Sequence, residues 1–344
     1  MNFEATYGVY PTMITPYRKN GEVDDTAVET LTEWYWKRGC DGIFADCQSS
    51  EIQFLTLDER VNILHTVMQK VYALAAQDPS RPRMTVVASG HVSDGFEDQV
   101  RELNAIAAEK PDALILISNR MDIANTSDEA WIADTGRLIA ELPAEMPLGG
   151  YECPKPYKRL LSEKMLRWCV ENGRFYFVKD TCCDADLIRS RLNICKGSHL
   201  KLFNANAQTL LETVRAGVYG YCGVMANFHP DLYKWAYDHK DSDPEKAQLV
   251  AHFLTTAAMI EMRIYPVSAK YYQSLVGVLQ GFLGFAATVE GRTYPYCAKY
   301  YLNRFEGVAM EPDARSADVR NLTAYQKSCV DQLAELTNAV RNNR

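Results

Sequence analysis

The chain has 344 residues, of which 47% are hydrophobic and 24% charged, and its formal net charge is −7. This composition is that of an ordinary globular protein with enough apolar residues for a large core, and the length suits one α/β barrel of about 250 residues with an appended unit. The sequence has no basic block, which argues against a nucleic-acid partner because phosphate binding needs clustered lysine and arginine.

No segment predicts a secreted or membrane protein. The start, Met1–Tyr7, lacks the basic and apolar regions of a secretory signal, and no apolar run approaches the roughly 18 residues of a spanning helix. The ten cysteines are scattered, with only Cys182 and Cys183 adjacent, and neither a Cys-x-x-Cys pair nor a His-Glu-x-x-His motif is present. We therefore expect reduced, mostly buried thiols in a cytoplasmic protein that binds no zinc.

Short apolar runs alternate with amphipathic stretches from Tyr7 to about residue 226, as in repeated βα units. The predicted strands are Tyr7–Ile14, Asp41–Asp46, Met84–Ser89, Ala113–Ser118, Pro147–Cys153, Phe175–Asp180, Leu200–Asn204 and Gly220–Ala226. Eight parallel strands close a barrel. The sequence therefore predicts the α/β class and a (β/α)₈ TIM barrel.

Helix start and stop signals lie between these strands. The predicted N-terminal caps are Asp24, Thr56 with Glu59, Asp94 with Glu97, Thr126 with Glu129, and Ser162. Gly39 and Gly173 are each expected to end a helix. No G-x-G-x-x-G or G-x-x-x-x-G-K-[ST] fingerprint is present, so the sequence predicts no nucleotide cofactor.

After Pro230 the strand signals stop, and the remaining segments predict helices. These segments are Pro244–Arg263, Val267–Val276 and Asp318–Arg341, with an aromatic-rich, ambiguous stretch at Tyr294–Phe305. We therefore divide the chain into a barrel over residues 1–230 and an all-helical C-terminal domain over residues 231–344. Aromatic residues of the second domain are expected to pack or to make subunit contacts, for example Tyr271, Tyr272, Tyr300 and Tyr301.

One lysine stands where an apolar strand ends. Phe175–Thr181 reads Phe-Tyr-Phe-Val-Lys-Asp-Thr, so Lys179 emerges at the C-terminal edge of a strand that is buried on both faces. This edge carries the catalytic side chains of α/β barrels, and partial desolvation favours the neutral amine that attacks a carbonyl. Lys179 is therefore the candidate Schiff-base nucleophile. The alternative is a solvated lysine at a strand end.

Other strand ends supply what a Schiff-base site for a 2-oxo acid needs, namely a holder for the carboxylate and a proton shuttle. Tyr151 ends the preceding strand, and its phenol is the candidate shuttle. Ser49 and Ser50 lie in a short polar loop after the second strand and are candidates for the carboxylate. Gly220–Asn227 closes the barrel with small residues that let backbone groups approach a ligand. Each feature alone also fits a core tyrosine or an ordinary turn.

These features belong to a set of motifs in a fixed order. The set comprises Thr15-Pro16-Tyr17, Gly21-Glu-Val-Asp24, Cys47-Gln-Ser-Ser-Glu51, Leu57-Asp-Glu-Arg60, Tyr151-Glu-Cys-Pro154, Val178-Lys-Asp-Thr181, the stretch Gly220 to Asn227, and Tyr265-Pro-Val-Ser-Ala-Lys270. From about Tyr7 to Gly277, the chain thereby resembles the dihydrodipicolinate synthase and N-acetylneuraminate lyase family of class I, pyruvate-handling aldolases. Each motif is a loose match, but the order and spacing of the set are specific.

The resemblance implies roles for particular residues. It implies that Lys179 forms the imine, that Tyr151 relays protons and that the Ser49 hydroxyl binds the carboxylate. Cys222 falls near the position whose backbone carbonyl faces the substrate. Gln48 stands where the family usually has a hydroxyl that passes protons to the tyrosine, which leaves that step of the relay open.

Two departures from the family pattern argue against lysine biosynthesis. Ser118-Asn-Arg-Met121 replaces the family's P-Y-Y, so the tyrosine that the synthases borrow across a subunit interface is absent. Pro156 replaces the arginine that holds the aldehyde substrate's carboxylate in those synthases. Arg120, Lys155 and Lys158 are therefore candidate anchors for a different acidic or polyhydroxylated substrate, the alternative being surface charges.

The sequence therefore predicts a carbon–carbon lyase or aldolase that acts through a lysine imine on pyruvate or a related 2-oxo acid, without metal or other cofactor. One rival is the same imine used for dehydration of a deoxy-keto-sugar acid or for a hydratase-aldolase reaction on an aromatic substrate. Another is a non-catalytic ligand-binding or regulatory oligomer, which Gln48 favours and Lys179 opposes. The expected partners are a small-molecule 2-oxo acid and further copies of the chain in a dimer or tetramer.

Overall fold

The computed structural model describes residues 6–18, 20–262, 265–279 and 324–342. Its parallel strands are β1 (Gly8–Val9), β2 (Gly42–Ala45), β3 (Thr85–Ala88), β4 (Ala113–Ile117), β5 (Leu148–Tyr151), β6 (Phe175–Asp180), β7 (Lys201–Asn204) and β8 (Gly220–Tyr221). They form an eight-stranded sheet in the order β1-β8-β7-β6-β5-β4-β3-β2. A parallel bridge between Thr12 and Phe44 brings the chain after β1 against β2 and closes the ring. The predicted (β/α)₈ barrel is confirmed.

Helices connect the strands and continue after the last one. Those of the barrel are α1 (Asp25–Lys37), α2 (Leu57–Gln77), α3 (Phe96–Ala108), α4 (Asp128–Ala140), α5 (Glu163–Asn172), α6 (Ala185–Cys195) and α7 (Leu210–Arg215). Those that follow β8 in the described residues are α8 (Pro230–Asp238), α9 (Pro244–Glu261), α10 (Val267–Leu275) and α11 (Ala324–Asn342). The predicted C-terminal helical region is therefore present in the described segments.

Two of the aromatic residues predicted to pack after the barrel are described. Tyr271 and Tyr272 are buried, at 1% and 0% exposure. Tyr294–Phe305, with Tyr300 and Tyr301, lies outside the described residues.

Three predicted helix caps are confirmed. The side chains of Asp24, Thr56 and Ser162 accept hydrogen bonds from the backbone N–H groups of Ala27, Glu59 and Met165.

Two predicted caps are wrong, because each side chain binds a different partner. The carboxylate of Asp94 pairs with Arg120 at 2.7 Å, and α3 begins one residue later, after Gly95. Thr126 donates to Asp122, while Ser127 caps α4.

The strands divide the apolar residues into two cores, because successive side chains point to opposite faces. One core lies inside the barrel and includes Tyr10, Phe44, Phe177 and Phe203. The larger core lies between the strands and the surrounding helices. At Gly220 a Cβ atom would lie 2.1 Å from the carbonyl oxygen of Gly8. This small residue therefore permits the close approach of β8 to β1 that closes the barrel.

The described cysteines are all free thiols, as expected. Six of these eight are buried, Cys182 is half-buried and Cys183 is exposed. Across the described segments, we find no helix with the length and apolar character needed to cross a membrane.

Candidate active site

Lys179 lies inside the C-terminal end of the barrel, not in solvent. It pairs in register with Tyr151 of β5 and is 3% exposed. Its Nζ lies 4.3 Å from the centroid of the Tyr151 ring and 5.5 Å from that of Phe44. Cys222, the residue after β8, is close enough for the charge of Lys179 to affect the pKa of its thiol. Burial raises the pKa of the Cys222 thiol to about 12, while the positive charge of Lys179 opposes the shift.

Tyr151, the last residue of β5, presents its phenol to the same space. Burial raises the pKa of this hydroxyl well above its usual value, and a hydrogen bond to Cys153 acts in the same direction. The Cys153 thiol in turn donates to Oε1 of Gln48 at 3.3 Å. The phenol therefore lies beside a thiol that is hydrogen-bonded to the amide at the position of the family's hydroxyl. Over the neutral range, the phenol is a protonated donor.

The polar loop after β2 is fixed by its own serines. Ser50 accepts a hydrogen bond from the backbone N–H of Cys47 at 3.1 Å and donates to the carbonyl of Met13 at 2.7 Å, so its hydroxyl holds the loop against the segment that follows β1. Ser49 instead donates to Thr12 Oγ1 at 3.0 Å. Within the described chain, the backbone N–H groups of Gln48 and Ser49 donate to no residue. These two N–H groups and the Ser49 hydroxyl are suited to an anion.

The basic residues predicted for the rim have different surroundings. Arg120 Nη1 donates to Asp94 Oδ1 at 2.7 Å and to the carbonyl of Val92 at 3.0 Å, which ties it to the segment after β3. Lys155 is exposed, and Lys158 Nζ donates to the carbonyl of Thr181 at 2.6 Å. The structure thus brings together Lys179, Tyr151 and the Cys222 position. Among the described contacts, none joins these rim charges to Lys179.

A buried ionic cluster lies behind the ends of β5 and β6. Arg191 of α6 contacts the carboxylates of Glu152 and Asp180, and all three side chains are at most 3% exposed. Glu152 also accepts a hydrogen bond from the backbone N–H of Thr181 at 2.8 Å. The cluster therefore links the residue after Tyr151 to the residue after Lys179. It holds the two strand ends in register, and with them the two side chains that face the site.

We expect Arg191→Met to lower the free energy of unfolding by about 3–5 kcal/mol, because it leaves Glu152 and Asp180 buried without their cation. Urea denaturation followed by circular dichroism measures the change. The matched control is Arg189→Met on the same helix. Arg189 is 44% exposed and pairs with Asp186 at the surface, so its loss should cost about 0–1 kcal/mol. Equal effects of the two substitutions would contradict the structural role of the cluster.

Sequence reasoning did not single out Cys153 as a partner of Tyr151. The signal was available, because residues i and i+2 of an extended segment share a face, and Cys153 follows Tyr151 at that spacing. Thr12 was also missed. Its contact with Ser49 depends on closure of the barrel between β1 and β2, and no local pattern reports such a contact.

Comparison with known proteins agrees with this architecture. A model of the dihydrodipicolinate synthetase family matches residues 5–74. The 4-hydroxy-tetrahydrodipicolinate synthase of Staphylococcus haemolyticus is 22% identical over 273 residues, which cover 78% of this chain and 87% of that protein. That of Chelativorans sp. is 24% identical over 276 residues, covering 79% and 89%.

Solved structures show the same fold. A sialic acid aldolase from Ruminococcus gnavus superposes with a TM-score of 0.74 at 15% identity and covers 98% of each chain. A dihydrodipicolinate synthase from Bacillus anthracis superposes with a TM-score of 0.74, also at 15% identity, over 97% of this chain and 98% of its own. The resemblance that the motifs indicate is therefore confirmed by independent comparisons of sequence and of structure.

Proposed function

We propose that this chain is a member of the dihydrodipicolinate synthase and N-acetylneuraminate lyase family and acts as a class I aldolase or lyase on pyruvate or a related 2-oxo acid. The observation that carries the proposal is the buried amine of Lys179, 4.3 Å from the centroid of the Tyr151 ring at the C-terminal end of the barrel. Among the described residues, no carboxylate forms an ion pair with Lys179, and buried lysines without such a partner are rare. Lys179 fits the requirements of an imine-forming nucleophile.

In the proposed reaction, the neutral amine of Lys179 attacks the ketone carbon and forms a carbinolamine. Tyr151 donates its phenolic proton to the carbinolamine hydroxyl, which leaves as water and gives a protonated imine. The imine then accepts the electron pair of the bond between its α and β carbons, which breaks to leave an enamine, while the β-hydroxyl gives its proton to the Tyr151 phenolate and becomes a carbonyl. Protonation of the enamine at the α carbon restores the imine, and bond formation follows the same steps in reverse. Hydrolysis of the imine restores Lys179 and releases the 2-oxo acid.

The loop after β2 is the proposed holder of the substrate carboxylate. Ser49 supplies a hydroxyl, and Gln48 and Ser49 supply backbone N–H groups. The hydrogen bonds of Ser50 fix the conformation of the loop that carries them. In this proposal Ser50 acts through the backbone and not through its own hydroxyl. Cys222 follows β8 directly, and we propose that its backbone carbonyl faces the substrate.

For the second substrate, we propose recognition by the rim residues Arg120 and Lys155. Arg120 is held by Asp94 and is only 10% exposed, so it offers a fixed donor rather than a free charge. Lys155 is exposed and can adapt to an acidic or hydroxylated group. These residues replace the recognition groups of the synthases, which supports a substrate other than the one used in lysine biosynthesis.

Borohydride reduction in the presence of a panel of 2-oxo acids tests the proposal. Reduction of the imine should add irreversibly the mass of the acid less one oxygen atom, and peptide mapping should place the adduct on Lys179. Protein treated with borohydride alone is the control. Absence of an adduct with every acid would favour a non-catalytic binding protein, and an adduct at Lys158 or Lys155 would contradict the assignment of the nucleophile.

A further inference from the structure

Three hydroxyl groups meet where the chain after β1, the loop after β2 and the segment after α9 come together. Ser49 Oγ donates to Thr12 Oγ1 at 3.0 Å. The hydroxyl of Tyr265 lies close enough to both of these side chains for each of them to lower its pKa, although burial raises that pKa overall. Asn227 Nδ2 also donates to Tyr265 Oη at 3.1 Å. We call Thr12, Ser49 and Tyr265 the hydroxyl cluster.

The segment that carries Tyr265 is fastened to the barrel by buried contacts. Lys270 forms an ion pair with Glu51, at the end of the loop that contains Ser49, and its Nζ lies 4.5 Å from the centroid of the Tyr17 ring. Gln273 Nε2 donates to the backbone carbonyl of Asn227. These contacts hold α10, the helix that begins two residues after Tyr265, against the barrel, so docking of this helix helps to set the position of the Tyr265 hydroxyl.

We propose that Tyr265 is a specificity-determining residue and that the hydroxyl cluster receives the carboxylate of the 2-oxo acid. The inference rests on the proposed function, in which Ser49 binds that carboxylate. It adds a residue from outside the barrel to the site.

The chemistry of the hydroxyl cluster suits an anion. Each hydroxyl has one hydrogen that rotates and two lone pairs, so each of the three groups can turn its donor toward a carboxylate when one arrives. Hydrogen bonds to a charged acceptor are shorter and stronger than those between neutral groups. Burial raises the pKa of the Tyr265 hydroxyl, so the group remains a neutral donor. Asn227 donates a hydrogen bond to the Tyr265 oxygen. The hydrogen of the Tyr265 hydroxyl can therefore be donated to a ligand.

Borohydride trapping as a function of substrate concentration tests the inference with Tyr265→Phe, which removes only the hydroxyl. We expect the pyruvate concentration for half-maximal trapping to rise by about 10–100-fold, because a hydrogen bond to a charged group is lost. Trapping of acetone, which has no carboxylate, should be the same in variant and parent. The matched control is Tyr271→Phe in the same segment, whose hydroxyl donates to Asp331 on α11 at 2.6 Å. This control should trap pyruvate as the parent does.

The outcomes separate the inference from the function on which it rests. A parent protein that forms no adduct with any 2-oxo acid overturns both. If the parent forms the Lys179 adduct and Tyr265→Phe has the same half-maximal concentration for pyruvate, only the role of Tyr265 is overturned. Equal losses of pyruvate and acetone trapping in the variant would show that Tyr265 supports the fold near Lys179, which also overturns the inference.

Discussion

Replacement of Lys179 by arginine is expected to abolish borohydride-dependent adducts with every 2-oxo acid and to lower kcat/KM by at least about 10⁴-fold. Arginine keeps the positive charge, but its guanidinium stays protonated and cannot attack a carbonyl. The effect should be large because every step of the proposed reaction passes through the imine. Intact-mass measurement after borohydride treatment and steady-state assay on the best substrate found by trapping check this result.

A second lysine on the neighbouring strand provides the control. Lys201 begins β7 at the opposite end of the barrel, where its Nζ lies 5.4 Å from the centroid of the Tyr219 ring. Lys201→Arg is expected to keep both the adduct and the turnover. Unfolding curves of the two variants should be compared with the parent, because arginine at the buried position 179 adds volume. A Lys179→Arg protein that is folded and still forms the adduct would remove the central claim.

Tyr151→Phe is expected to lower kcat by about 10²–10⁴-fold, the usual contribution of a general acid or base, with a smaller change in KM. The substitution removes the phenolic proton and leaves the ring, which packs edge-on against Phe44 with centroids 5.3 Å apart. Packing in the barrel should therefore be retained. Single-turnover measurement of imine formation, by quenching with borohydride at increasing times, would place the slowed step at the loss of water.

Tyr10→Phe is the control for this change. Tyr10 belongs to the same inner core, but its hydroxyl donates to the carbonyl of Thr6 at 2.7 Å, at the N-terminal end of the barrel. We expect turnover close to that of the parent. If Tyr151→Phe also retained most of its turnover, Tyr151 would be a packing residue, and the proton would have to come from another group near Lys179.

The partner of the Tyr151 hydroxyl distinguishes this site from the family pattern. The phenol lies beside Cys153, whose thiol donates to the amide oxygen of Gln48. Burial raises the pKa of the Cys153 thiol, and an amide oxygen does not take up a proton in the neutral range. A proton therefore has no evident exit through this thiol and amide. We infer that the phenol exchanges its proton directly with the substrate, and that Cys153 and Gln48 orient the hydroxyl.

Much of the fold follows from patterns that are local in the sequence. The alternation of apolar runs and amphipathic stretches predicts eight strands, and the strand predicted at Phe175–Asp180 has the same bounds in the structure. The caps at Thr56 and Ser162 are also confirmed, because a cap bonds to a backbone group only three residues away. The lysine that ends an apolar strand was identified in the same way, since parallel strands of a barrel end at one rim.

Only the tertiary structure decided which side chains meet across the rim. Asp94 has the local sequence of a helix cap, yet it pairs with Arg120, because an ion pair across two loops competes with a hydrogen bond to the nearby backbone. Arg191 has no motif that predicts its contact with Glu152 and Asp180. The neighbours of such residues are far away along the chain.

The proximity of Tyr265 to Ser49 also joins residues that are far apart in the sequence. The sequence determined that this chain forms a barrel with a lysine and a tyrosine at the ends of adjacent strands. The positions and the order of the strands follow from the spacing of short apolar runs along the chain. The surroundings of those residues depend on closure of the barrel by Thr12 against Phe44 and on docking of the C-terminal helices through Lys270 and Glu51. The ion pair of Lys270 with Glu51 joins residues 219 positions apart, and packing and charge pairing in three dimensions select such contacts.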